Sequence, residues 1–256
     1  MKEAFTYMFK DNKFWVKGLS YLFLTFTANL LLNYAQTILP PCPKCSVSIP
    51  WQYWIFFISG TLVNTVAIGY LFSCIKALIE QTENPVLPFV NILKDFYKGF
   101  KYSVSLLMLI LPIGLLLGLF MLIIALITSG SAVGLILSKT LFWIIFLFIG
   151  LLLIAFNWLF SNTESYFSFF RFKKVFELIL NDKRKYIGHF LMILLVCFLN
   201  IILETVFNVS SGLLKLETLY GLALSGILSA ITGTYAAFII CKLTANSIKR
   251  ELKENL

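Results

Sequence analysis

A chain of 256 residues with 59% hydrophobic and only 13% charged side chains is too apolar for a soluble globular domain. Its net charge of +9 comes from basic residues at the ends of hydrophobic runs rather than from one patch. That placement argues against nucleic acid as a partner and for the anionic leaflet of a membrane. The apolar stretches exceed the roughly 20 residues a helix needs to cross about 30 Å of hydrocarbon. They are continuous rather than alternating, so the class is an all-α polytopic membrane protein and not a β-barrel.

In chain order, six spans are expected over residues 14–39, 52–79, 102–128, 138–160, 187–208 and 218–242. The run from Trp15 to Leu39 is longer than the apolar core of a signal peptide and reads as a retained first span. Cys42 and Cys45 follow it as Cys-Pro-Lys-Cys in the loop on the outer side. Four readings stand: a disulfide stapling the loop, half of a zinc site, a thioredoxin-like redox pair, and a free dithiol. The zinc reading lacks further ligands in the outer loops, and the redox reading lacks a βαβ context. The third and fourth spans are separated by Ser129, Gly130 and Ser131, so a long re-entrant hairpin is an alternative there.

Charge sets the orientation. With six spans, Lys44, Lys139 and Lys215 fall on one side and every other Lys and Arg falls on the other. By the positive-inside rule both termini are then cytoplasmic. An odd number of spans would mix the two groups.

A short motif precedes alternate spans. It reads Phe9-Lys10-Asp11-Asn12-Lys13-Phe14, then Leu93-Lys94-Asp95-Phe96-Tyr97-Lys98, then Leu180-Asn181-Asp182-Lys183-Arg184-Lys185-Tyr186. The aspartates are 84 and 87 residues apart and each interval holds two spans. The expected organisation is one integral membrane domain of three units, 1–82, 83–166 and 167–256, each an amphipathic segment followed by a helical hairpin. In the middle segment Asn91, Lys94, Asp95, Lys98 and Lys101 recur at helical spacing opposite Phe89, Ile92, Leu93, Phe96 and Phe100. In the last, Phe169, Phe172, Phe176 and Ile179 form a stripe with Lys173, Lys174 and Glu177 lying off it. Three cytoplasmic interfacial helices are therefore expected, with Lys94, Lys98, Lys101, Lys173 and Lys174 among anionic headgroups.

On these residues the chain resembles a family of small bacterial and archaeal membrane proteins, domain of unknown function 4013. The resemblance rests on the opening from Phe5 through Asp11 to Trp15, with Lys17-Gly18 after it. It rests also on Gly69-Tyr70, on Leu87-Pro88, and on Gly99 with Lys101. It implies a multi-pass protein of a bacterial or archaeal membrane and brings no activity with it.

Polar groups in apolar runs are candidates for a transport path. Asn157, Asn200 and Glu204 are the strongest, the last two sharing one helix face. Hydrogen bonding between helices accounts for the amides equally well. Gly221, Ser225, Ser229, Gly233 and Ala237 recur every four residues, which lets another helix approach closely, in the bundle or in a homo-oligomer. Gly114 and Gly118 offer the same in the third span. His189, the only histidine, has no acidic or thiol neighbour at metal spacing, and neither paired carboxylates nor a nucleophile elbow is present. No cofactor, metal or enzymatic activity is expected. The functional expectation is a membrane-organising protein that binds lipid or a partner, with a small-solute transporter or a thiol-redox protein as alternatives.

Overall fold

The computed structural model describes residues 11, 13–38, 49–80, 87–127, 132–213 and 219–247. Among them the regular structure is helical and no strand occurs. The α-helices are α1 (Phe14–Ile38), α2 (Trp51–Glu80), α3 (Ile92–Ile127), α4 (Ala132–Thr163), α5 (Phe172–Asn181), α6 (Lys183–Leu213) and α7 (Leu219–Asn246). A 3₁₀ turn, Ser168–Phe170, leads into α5. Five of these helices contain stretches long and apolar enough to cross a membrane: Trp15–Ile38, Trp51–Glu80, Ile92–Ile124, Lys139–Thr163 and Lys183–Leu203. The third and fourth expected spans are two separate helices.

Local chemistry sets the helix starts. Asn91 caps α3: its side-chain oxygen accepts from the Lys94 N–H at 3.1 Å, and the Asp95 carboxylate reaches back to the Asn91 N–H at 2.8 Å. This reciprocal pair satisfies two of the donors that a helix start leaves open. Asp182 ends α5 and caps α6, accepting from the Lys185 N–H at 3.3 Å. After α4 the chain turns through Glu164 in the left-handed region (φ 47°), and its N–H returns to the Phe160 carbonyl at 2.7 Å.

The middle amphipathic segment differs from expectation. It is the first three turns of α3 and runs without a break into the span, so it is not a separate helix lying in the interface. The first copy lies mostly outside the described residues. The third forms the separate helix α5, although its inward face is Val175, Leu178 and Ile179, with Phe172 and Phe176 exposed and Phe169 buried in the turn before it.

The chain divides into two compact units, one of Met1–Phe100 with Leu191–Asn246 and one of Lys101–Phe190 with Ser247–Leu256. In the first, α1 and α2 pack side by side and α7 packs on both. One ring from each helix meets at the junction. Tyr21 lies 5.7 Å from Tyr70 and 5.4 Å from Phe238, centroid to centroid. Small residues allow this closeness: Ala28 and Ala35 of α1 are buried, and an added Cβ on Gly60 would stand 2.8 Å from Leu32.

The second unit is built on α4. Phe156 stacks on Phe169 at 5.1 Å and meets Phe172 edge-on at 5.6 Å, and Tyr102 packs on Phe160 at 5.4 Å. The Tyr186 hydroxyl accepts from the Ala155 N–H at 2.9 Å and donates to the Leu151 carbonyl. Ala155 and Leu151 are a donor and acceptor four residues apart, so a side chain from α6 stands within the hydrogen-bond ladder of α4.

Candidate functional site

The residues that chemistry would single out gather in the first unit, at the end of α1, α2 and α3 that carries the basic residues. Asp11 precedes α1 and holds three donors. Lys17 Nζ lies at 2.7 Å, with the backbone N–H groups of Lys13 at 2.9 Å and Leu87 at 3.0 Å. The Lys17 and Asp11 side chains are only 2% and 5% exposed. Phe89 covers the pair, its ring 4.9 Å from Lys17 Nζ and 5.8 Å from that of Lys13. Burial pushes the Asp11 carboxyl up, but the Lys17 hydrogen bond, the two N–H donors and the Lys17 charge outweigh it. The net result lies below the ordinary value of 3.8.

The loop tied by Asp11 is fixed a second time, because the Tyr70 hydroxyl donates to the Pro88 carbonyl at 3.0 Å. One turn further along α2, Ser73 Oγ donates to Asp95 Oδ1 at 2.7 Å and receives Lys98 Nζ at 3.2 Å. Asp95 is 2% exposed and Lys98 5%. The hydroxyl thus gives its proton to a carboxylate and turns a lone pair to an ammonium donor. That polarity compensates buried charge of both signs.

Two glycines make this proximity possible. A Cβ on Gly69 would run into the backbone carbonyl of Asp95, and one on Gly99 into that of Thr65. Helices α2 and α3 therefore cross backbone against backbone, closer than the usual 8–10 Å between axes permits for larger residues.

The crossing changes the role of one lysine of the middle segment. Lys98 was placed among lipid headgroups on its helical spacing, and the structure corrects this: it is buried against Ser73. Of the other lysines expected there, Lys94 and Lys173 are exposed and Lys174 is half-buried. Lys101 donates to the Glu164 carbonyl at 3.4 Å and lies over the Tyr166 ring. Phe89, Ile92, Leu93 and Phe100 face outward, as an interfacial helix requires, with Leu93 82% exposed, while Phe96 is half-buried.

The remaining candidates are dispersed. Asn157 belongs to α4 in the second unit, where its Oδ1 is buried without a hydrogen-bond partner, while Asn200 belongs to α6 in the first. Glu204 lies one turn beyond Asn200 on α6, its side chain outside the described residues, as are Cys42 and Cys45. Of the small-residue stripe, the side chains of Gly221, Ser225 and Ser229 are likewise outside. At Gly233 an added Cβ meets nothing within 4 Å, and Ala237 is half-buried. The inward face of α7 includes Ala230, Thr234 and Phe238, one position out of register with the stripe. Gly114 and Gly118 are equally open.

The family model described as a protein of unknown function (DUF4013) matches residues 53–209, more than half of the chain. The chain belongs to this family. No curated protein and no solved structure matches it. Of the residues that carry the resemblance, Asp11, Lys17, Gly69, Tyr70, Leu87, Pro88 and Gly99 meet at the site. Spacing alone missed Ser73 as the group between Asp95 and Lys98, since a lone serine on an apolar helix carries no signal. It also missed Tyr186, whose hydroxyl acts on a helix remote in sequence.

Proposed function

We propose that this family member is a six-span protein of the cytoplasmic membrane, with both termini inside, that works without enzymatic chemistry. Its role is to organise lipid or a partner protein at a basic and aromatic cytoplasmic rim. One observation carries the reading. At the start of α3 the charged residues Asp95 and Lys98 are turned inward, while Ile92, Leu93, Tyr97 and Phe100 are turned outward. Leaving a large apolar side chain in water forgoes about 1.5–3 kcal/mol, so Ile92, Leu93 and Phe100 on one rim call for more apolar cover than the described residues supply. The buried network favours an architectural role, because Asp11 is matched by Lys17 and backbone donors and Asp95 by the Ser73 hydroxyl and the Asn91 N–H. The asymmetric distribution of Lys and Arg supports the orientation.

Reporter domains that are active only in the cytoplasm, fused to either terminus, test the topology. Activity is expected from both fusions, and none from an insertion between residues 39 and 48. Activity from one terminus alone would overturn the six-span reading.

A further inference from the structure

Helix α5 has two apolar faces, and the described residues cover only one of them. Val175, Leu178 and Ile179 are buried. At about 100° per residue, Phe172, Phe176 and Leu180 form an adjoining stripe that is exposed. Lys173, Glu177 and Asn181 occupy the next arc, also exposed. Around the axis the order is protein, apolar surface, polar surface. A helix held by its own protein on one side and by a bilayer on the next requires this order, with its third side in the headgroups and water.

Depth along α4 points the same way. Phe172, at the start of α5, packs on Phe156. Tyr186, five residues past the end of α5, bonds to Ala155 and Leu151. The start of α5 and the first turn of α6 thus both reach one short stretch of α4. Phe156 is seven residues from Thr163, the last residue of α4, which is about 10 Å at 1.5 Å per residue. With that end of α4 at the cytoplasmic surface, as the spanning reading has it, this distance matches the roughly 5–10 Å to which an interfacial helix sinks. Charge complements an anionic surface here. Arg171, Lys173, Lys174, Lys183, Arg184 and Lys185 stand against Glu177 and Asp182, and Asp182 is engaged in capping α6.

We propose that α5, with Phe167 and Phe170 ahead of it, is a binding surface for anionic phospholipid in the cytoplasmic leaflet. Phe172, Phe176 and Leu180 enter the acyl boundary while Arg171, Lys173 and Lys174 take the phosphates. The proposal rests on the membrane-spanning reading above and fails separately from it.

The full chain is reconstituted into bilayers containing brominated phosphatidylglycerol or brominated phosphatidylcholine, with Phe176→Trp as the reporter. Its difference from the parent protein isolates position 176. Phe167→Trp serves as a second reporter outside the helix. The parent's own tryptophans, Trp143 of α4 among them at 60% exposure, are quenched by both lipids if the chain is integral. An unquenched parent overturns the spanning reading and this proposal with it. With the parent quenched, the reporters are expected to prefer the anionic lipid by about fivefold for each basic residue that reaches a phosphate. In Arg171→Gln/Lys173→Gln/Lys174→Gln the preference falls to near one. Reporters quenched equally by both lipids, or by neither, overturn the anionic-lipid surface and leave the spanning reading intact.

Discussion

Replacing Gly69 by Ala adds one methyl group at the point where α2 and α3 cross. It would be placed inside contact distance of the Asp95 carbonyl carbon and oxygen and 2.8 Å from the Gly99 nitrogen. These are backbone atoms, so no rotamer change relieves the overlap and the helices must separate. Overpacking of this kind costs about 1–3 kcal/mol. The separation also lengthens the 2.7 Å bond from Ser73 to Asp95 and the 3.2 Å bond from Lys98 to Ser73. Hydrogen bonds to charged groups contribute about 1.5–3 kcal/mol each. Alanine's better helix propensity returns about 1 kcal/mol, which leaves a net loss of about 3 kcal/mol at the low end of these ranges. Gly114→Ala on α3 is the control, because an added Cβ there meets nothing within 4 Å and only the propensity gain applies. Cys74 and Cys241 are buried in the first unit, so thermal unfolding in detergent can be followed with a thiol-reactive dye. A fall in Tm for Gly69→Ala is expected, against an unchanged or raised Tm for Gly114→Ala. Equal Tm values for the two variants would refute the backbone-to-backbone crossing.

Asp11 predicts a pH dependence. Its carboxyl titrates below 3.8 in the folded protein, so its contribution is present at and above that pH and is lost as pH falls through the folded value. The Tm gap between the parent and Asp11→Asn is therefore expected to hold from neutral pH down to about 4 and to close below 3.8. A gap that widens under acid would sink the assignment. At Tyr186, removing the hydroxyl leaves the Ala155 N–H and Leu151 carbonyl free to bond directly, so Tyr186→Phe is expected to cost about 1 kcal/mol. Tyr186→Ala also opens a cavity and is expected to cost about 3–5 kcal/mol; similar Tm values for the two would show that the hydroxyl, not the ring, carries the contact.

Part of the site was legible from the residues. Asp11 and Asp95 of the recurring motif and the pairs Gly69-Tyr70 and Leu87-Pro88 stand out from the residues alone. What they share was not legible: a single meeting point formed by α1, α2, the loop before α3, and α3 itself. The middle segment shows why. Period and composition place Lys94, Asp95 and Lys98 on one polar face, but a helical pattern says only that two faces differ. It does not say which one turns inward, and in a membrane the apolar face can turn outward to lipid. Here Gly69 and Gly99 admit the backbone approach, and that approach gives Asp95 and Lys98 a partner in Ser73.

The sequence by itself determined the helical class, the long apolar runs and their approximate limits, because those follow from composition, the length needed to cross hydrocarbon, and local capping. It also determined the uneven placement of Lys and Arg, which needs no folding to read. Only tertiary structure decided that the middle motif continues into α3 while the last forms the separate helix α5. It also decided that Lys98 is buried, that the close helix crossing lies at Gly69 and Gly99 with Gly114 and Gly233 left open, and that Tyr186 enters the ladder of α4. Each of these depends on which backbones come within a methyl group of one another, and that distance is set by partners remote in the chain.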